Sequence, residues 1–315
     1  VTATDLVLHH YPRSPFAEKV RVAFGLKGLS WRSVIQPRIA PKPELVALTG
    51  GYRRIPMLQV GADIYCDTRR ILAELDRRFP EPTLYPTGTR GQADIIAAWA
   101  DRALFANALG LVFGLNGDRF PPELHADRAS FTSGKFDGWD SERMREQIPA
   151  LRDQFRIHLA WLSDWLAHGD TFLLGQAPSL ADLAVYHPLW YARGNLGESE
   201  GLAEHPRVLA WMDRVASLGH GMVEELSPEH ALDIARLCQP MAISASPHND
   251  NADDQGLPFK EGIMVSVMPT DWGFDPVIGA FVSAGHDSIA LRREDPDVGA
   301  TVVHFPRAGF AIARL

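Results

Sequence analysis

Two rhythms of hydrophobic and polar positions run along this chain. Residues 5–11 (Asp-Leu-Val-Leu-His-His-Tyr) form a short apolar run that predicts a buried strand. Phe16, Val20, Val22, Ala23, Phe24 and Leu26 follow with a helical period until Gly28 ends it. The pattern predicts a second strand at 31–35, a short helix at 42–48, and a hairpin of 57–60 with 64–66 around Gly61-Ala62-Asp63. Asp67-Thr68 open a further helix to about residue 79, and the proline-rich stretch from Pro80 to Gly88 reads as a linker, with a boundary near 86. From Gly91 to about Leu218 the period is helical, with long segments at 91–115 and 141–168 separated by a polar, aromatic-spotted loop at 116–140. Ser179-Leu180-Ala181-Asp182, just ahead of the apolar run 183–190, is a capping box whose role is folding.

Beyond a short helix at 228–238 and a polar stretch at 244–256, the rhythm changes to runs rich in Val, Ile and Phe. Strands are expected at 262–268, 277–283, 288–293, 300–305 and 309–314, with turn signals at Asp275-Pro276, Gly285-His286-Asp287, Asp295-Pro296 and Arg307-Ala308-Gly309. Their even spacing points to a small five-stranded barrel of SH3-like topology. At the other end, the order β-α-β-α-β-β-α with a proline before the hairpin is the thioredoxin-type layout. The expected fold class is therefore α/β plus all-α plus small β. A thioredoxin-like domain spans 1–86, an all-helical domain 87–225, and a β-rich extension 226–315, without internal repeats.

Composition narrows the function classes. The chain has 315 residues, 46% hydrophobic and 22% charged, enough for two or three cores. Its net charge of -8 repels nucleic acid and anionic membrane, so neither is expected as a partner, and an anionic ligand needs local cations. Two cysteines, Cys66 and Cys238, exclude a disulfide framework and point to a reducing, cytoplasmic setting. The longest charge-free apolar stretch, 103–117, falls short of the roughly 20 residues that span a bilayer, and the first residues carry no secretory pattern. Nucleophile elbow, P-loop and dinucleotide glycine fingerprints are all missing. The donor-rich string His248 to Asp254 matches no calcium or zinc spacing, so no metal site is expected, and His304 reads as an ordinary strand histidine.

Candidate chemistry sits in the first 80 residues. A strand running into Ser14-Pro15 leaves a hydroxyl and unpaired backbone N–H groups at the positive end of a helix, where a thiolate would be stabilised. Serine there is also a common N-cap. In Arg54-Ile55-Pro56-Met57-Leu58, the Ile-Pro pair before a strand predicts a cis bond, a form taken by roughly 5–6% of such bonds. It would offer the Ile55 backbone to a peptide-like ligand. Cys66, at a strand end, reads as a small buried hydrophobe.

Taken together, Ser14-Pro15-Phe16-Ala17-Glu18, Lys42 in Lys-Pro-Glu, Ile55-Pro56 and Asp67-Thr68 resemble the glutathione S-transferase superfamily over about two thirds of the chain. The frame is omega-like, Cys-Pro-Phe-Ala-Glu with serine in the cysteine's place, as in the theta, phi and zeta classes. A serine is no redox nucleophile. The resemblance implies glutathione as co-substrate and Ser14 as the catalytic hydrogen-bond donor to its sulfur. It implies a glutathione site of Phe16, Lys42 (glycine carboxylate), Arg54, Ile55 (cysteinyl backbone), Pro56, and Asp67 with Thr68 (γ-glutamyl end). The family's Asn-Pro before the cis-proline is replaced by Thr49-Gly50-Gly51-Tyr52-Arg53-Arg54, and the two arginines are either anion contacts or solvated. A small hydrophobic electrophile would lie between the domains near Trp99, Phe105, Phe113 and Tyr191, residues that read more readily as ordinary core or helix packing. By resemblance the protein is a cytoplasmic, homodimeric transferase of detoxification type, catalysing conjugation, isomerisation or ether cleavage. The alternative is a non-catalytic scaffold or sensor that docks a partner through its barrel. A thiol–disulfide oxidoreductase using Cys66 is weakest, since Cys-x-x-Cys is missing.

Overall fold

The computed structural model describes residues 5–132, 140–241 and 259–315. The polar stretch 244–256 and the string His248 to Asp254 lie outside them. Strand β1 (Val7–His10), helix α1 (Pro15–Leu26), β2 (Ser30–Ile35), α2 (Pro43–Thr49), β3 (Met57–Val60), β4 (Asp63–Cys66) and α3 (Thr68–Arg78) realise the expected thioredoxin order. β1 runs parallel to β2 and antiparallel to β3, and β3 turns into β4. Because side chains alternate across a strand, this sheet has two apolar faces. Leu6, Leu8, Leu58, Val60 and Tyr65 point to one side, and Val7, Val34, Met57, Ile64 and Cys66 to the other.

The first face packs on α1, α3 and the helical half. There α4 (Arg90–Trp99) runs through a π-turn at Ala100–Leu104 into α5 (Phe105–Asn116), followed by α6 (Pro122–Thr132), α7 (Ser141–Glu146), α8 (Ile148–Trp165), α9 (Leu180–Leu196) and α10 (Pro206–Ala216). Residues Arg90–Arg119 are long and apolar enough to cross a bilayer by length and composition. Their Ala97, Ala100, Leu104, Ala108 and Leu111 are nonetheless buried in the shared core. The capping box forms as expected: Asp182 accepts from the backbone N–H and hydroxyl of Ser179, and also from Leu173 N and Trp211 Nε1, at 2.8–2.9 Å. One carboxylate thus serves four donors in the core of the helical half, where each would be costly to leave unmet.

Two readings need correction. The stretch 116–140 is not all loop, because α6 occupies Pro122–Thr132. Its proline at the first turn starts a helix, but only Leu124 and Thr132 are buried, so no apolar stripe marks it. And the chain leaves the helical half as a strand, β5 (Met222–Glu225), parallel to β2. All four of its residues are exposed, so it carries no alternation. Helix α11 (Pro228–Leu237) then packs Ala231 and Ile234 against Val7 and Val34.

The last third forms the five expected strands, β6 (Met264–Pro269), β7 (Val277–Ala284), β8 (Ser288–Asp295), β9 (Gly299–Pro306) and β10 (Phe310–Arg314). They hydrogen-bond in the order β10-β6-β7-β8-β9, last strand beside first. The five strands are not a separate body, however, and among the described residues no pairing of β9 with β10 closes them into the expected barrel. β9 adds parallel to β4, so that the ten strands form one sheet. At this seam Asp63 accepts from Met241 N and pairs with His304 Nε2, both at 2.8 Å, and the Tyr65 ring stacks on His304 at 4.5 Å. His304 is thus a hydrogen-bonded interior histidine. The core of this annex takes in Leu45, Leu48, Tyr52, Met57, Ile64 and Cys66, together with Val265, Phe281, Leu291 and Phe305. Gly50, at φ +79°, ends α2 where a Cβ would meet the Arg293 side chain from β8 at 2.3 Å.

The annex therefore supplies the second face of the thioredoxin sheet with its cover. Uncovering even half of six such side chains costs on the order of 5–10 kcal/mol, comparable to a whole domain's stability. A chain ended at residue 241 is expected to lose its cooperative melting transition. Burial lifts the Cys66 thiol well above its ordinary pKa, whereas Cys238 is half-buried. In the intact chain a thiol-specific chromogenic reagent should therefore find Cys238 and leave Cys66 silent until unfolding; in the shortened chain both should react. An unchanged melt with a silent Cys66 in the shortened chain would show the annex to be a mere appendage.

Candidate functional site

Between the thioredoxin half, the helical half and the annex lies a cavity of about 490 Å³. Ser14, Phe16, Lys42, Arg54, Ile55, Pro56, Asp67 and Thr68, all singled out from sequence, line it. Of the four aromatic residues named for a second substrate, Phe105, Phe113 and Tyr191 line it too; Trp99 does not, and packs edge-on against His158 at 5.3 Å.

Each element places its residue for a local reason. Ser14 is the N-cap of α1, with extended backbone, and its Oγ accepts from Ala17 N at 3.2 Å. That bond uses a lone pair and leaves the hydroxyl proton, for which the described residues provide no acceptor. The Ile55–Pro56 bond is cis and precedes β3, so Ile55 stands outside the strand ladder. Asp67 caps α3 through Arg69 N at 2.9 Å while holding φ at +71°, a left-handed conformation that Asp tolerates better than most residues. Burial pushes its carboxyl up, opposed by Arg54 and the Arg69 amide. Lys42 has a single weak partner, Arg53 O at 3.4 Å; burial, and next the charge of Arg128, lower its pKa to about 8.

Under this frame lies a charge relay that sequence did not announce. Asp101, in the π-turn, accepts from Lys19 Nζ at 2.8 and 2.9 Å and pairs with His187 Nε2 at 2.9 Å. Lys19 also reaches Thr68 Oγ1 at 3.3 Å. Burial alone would raise the Asp101 carboxyl, but Lys19 and His187 hold it at about 2. Phe16 closes the same place from above, packing on His187 at 4.7 Å and Phe105 at 4.8 Å. The helical half thereby fixes the start of α3 from beneath. π-turns recur at functional sites because they rotate one side chain out of helical register.

The two arginines before Ile55 are neither solvated nor free. Arg53 pairs with Asp127 of α6 at 2.8 Å, and Arg54 donates to the Asp271 carboxylate and to Trp272 O of the annex. Gly273 of the same loop donates its N–H to Phe131 O at 2.8 Å. Residues 271–273 thus join the cis-proline loop to α6, and Asp271, Trp272 and Phe310 become cavity wall. Only two signals pointed that way, the unusual Arg53-Arg54 pair and Asp127-Arg128 inside what read as loop. Among the described residues no group of three His, Cys, Asp or Glu side chains is placed to hold a metal ion.

Comparison with known proteins gives this architecture its relatives. Residues 8–83 match the model for the glutathione S-transferase N-terminal domain and residues 145–214 that for its C-terminal domain. A crystal structure of a GST-like protein from Pseudomonas syringae is 37% identical and superposes with a TM-score of 0.81, covering 99% of this chain and all of that one, annex included. A glutathione S-transferase from Rhodospirillum rubrum is 25% identical over 67% of this chain and 88% of its own, with a TM-score of 0.53. FtsZ-localized protein A of Caulobacter vibrioides is 24% identical over 189 residues, 58% of this chain and 75% of that protein. A full-length relative at 37% identity, on the same three-part frame, leaves one family for the fold, and the chain belongs to the glutathione S-transferase superfamily.

Proposed function

We propose that this protein is a glutathione-dependent transferase that joins the glutathione sulfur to a small electrophile. The observation that carries this reading is the convergence of Ser14, Lys42, Ile55–Pro56 and Asp67–Thr68 on one cavity. Glutathione would lay its cysteinyl backbone along Ile55. Its glycine carboxylate would meet Lys42, its γ-glutamyl carboxylate the N-terminus of α3, and its ammonium the Asp67 carboxylate. The Ser14 hydroxyl proton then points at sulfur and favours thiolate over thiol. A free thiol with a pKa of about 8.5 is about 3% ionised at pH 7, so complete ionisation supplies at most about a thirtyfold gain. The rest comes from holding the electrophile against sulfur. The thiolate forms the new C–S bond, and the electrons of the bond that breaks leave with the departing group or take a proton from water.

A scaffold without chemistry is favoured by one observation, the likeness to FtsZ-localized protein A, whose name describes a place rather than a reaction. Against it stands a cavity-lining hydroxyl with an uncommitted proton. We further propose a cytoplasmic homodimer. Ile95 on α4 is 73% exposed and Trp161 on α8 57%, and ring contacts run between the two helices from Trp99 through His158 to Trp161, so these exposed apolar side chains are suited to a second copy.

Three measurements follow. In calorimetry, Asp67→Ala should weaken glutathione binding by about tenfold or more, while Ser14→Ala should keep binding within about threefold yet lose the thiolate absorbance of the bound ligand and about tenfold in turnover. Wild-type protein that ignores millimolar glutathione would end the assignment. For Lys42, the free ammonium is charged below about pH 8 and loses its charge above it. Affinity for S-methylglutathione, which has no thiol, should therefore be level at neutral pH and fall as pH rises through about 8, with Lys42→Arg abolishing that fall. In light scattering, Trp161→Glu should turn the dimer into monomer without changing the glutathione site.

A further inference from the structure

The cavity is lined by eight cationic side chains, Arg13, Arg38, Lys42, Arg53, Arg54, Arg69, Arg102 and Arg128, in a chain whose net charge is -8. Their carboxylate counterparts there are Asp67, Asp101, Asp127 and Asp271. Asp101 is committed to Lys19 and His187 below the cavity, and Asp271 to Arg54. At the end walled by α6, four cations, Arg38, Lys42, Arg53 and Arg128, face a single carboxylate. Asp127 already takes Arg53 Nη2 at 2.8 Å, Arg128 Nη1 at 2.7 Å and Ala40 N at 3.0 Å. Asp275, on the outer side of Lys42 and Arg53, forms no ion pair with either.

Arg38 is the sharpest member of this group. Its guanidinium lies over the Phe120 ring, 5.3 Å from the centroid, and its Nε is buried with no partner. A guanidinium with one face stacked and its fork unmet is organised to take a planar acid through two parallel hydrogen bonds. Phe113, Phe131 and Tyr191 line the same cavity and give it an apolar, aromatic component. Glutathione cannot use all of this charge, since its glycine carboxylate needs one cation, Lys42, and its γ-glutamyl carboxylate is met at α3.

We infer that the second substrate is itself an anion: beside the glutathione frame lies a subsite for an electrophile that joins a flat apolar body to a carboxylate or sulfonate, whose acidic group is taken by Arg38 and Arg128. The inference deepens the transferase reading and rests on it for the identity of the neighbouring ligand. The apolar body lies along Phe113 and Phe131, and the acidic group sets which end of the molecule meets the sulfur. Arg38 is in this sense a specificity-determining residue.

The test uses an unreactive pair of equal shape, 4-phenylbenzoate and 4-phenylbenzamide, titrated by calorimetry into the full-length protein with and without saturating S-methylglutathione. On the loaded protein the acid should bind about tenfold or more tightly than the amide, and raising the salt concentration should narrow the gap. Arg38→Gln should reduce the preference below about threefold. Arg128→Gln, on the cavity side of α6, gives the same readout should the first variant not fold. Equal affinity for acid and amide on the wild-type protein, or a preference that survives both substitutions, would overturn the anionic subsite. Failure of S-methylglutathione to bind would instead overturn the transferase reading, while the acid-to-amide ratio without it still judges the subsite.

Discussion

Everything in this molecule hangs on the edge of β4. A thioredoxin sheet has two apolar faces and cannot leave either in water. Here one face is covered by α1, α3 and the helical half, and the other by α2, α11 and the annex. The parallel pairing of β4 with β9 converts an exposed strand edge, an invitation to aggregate, into the middle of a ten-stranded sheet. Asp63 and His304 secure that pairing from within. Because β9 is fixed there, the loop at 271–273 is brought over the cis-proline loop, and the annex becomes part of the cavity wall.

Much of this was legible in the chain. The helical spacing of Phe16, Val20 and Phe24 and the apolar runs of β1, β3 and β4 reflect strong burial, and strong burial writes a clear pattern. The four aligned segments around Ser14, Lys42, Ile55–Pro56 and Asp67–Thr68 were readable because each is local: a cap, a turn, a helix start. What could not be read is what two distant segments do to each other. β5 is a strand only because β2 offers it an edge, and its exposed Met-Val-Glu-Glu has no alternation to show. α6 hides its face for a similar reason, since beyond Leu124, its one residue in an apolar cluster, Asp127, Arg128, Phe131 and Thr132 face the cavity. Arg54 read as either an anion contact or a solvated charge, and its partner Asp271, 217 residues away, left no local signal.

Electrostatics divides the molecule in the same way. Its outer field is negative, yet the cavity concentrates arginine and lysine against few carboxylates. Such a contrast weakens long-range attraction of an anion but holds it once it is inside, where low dielectric strengthens each contact. The buried Asp101–Lys19–His187 group shows the other side of that bargain: the Asp101 carboxylate is admitted to the interior because Lys19 and His187 both meet it. Arg38 is one of several buried side chains with an unpartnered polar atom, its Nε, and it lines the cavity.

The route of the chain through the sheet also dictates when the site can exist. β1 to β4 emerge from the ribosome before the helical half, but their partners along the edges, β5 beyond β2 and β9 beyond β4, arrive only after the helical half has been made. Until then the first eighty residues carry an uncovered apolar face and an open edge, the kind of exposed surface that makes incomplete chains prone to aggregate. Contacts that span most of the sequence are slow to form. The cavity wall at Phe310 is among the last pieces to arrive, which makes a nascent or prematurely ended chain unable to bind before its fold is complete.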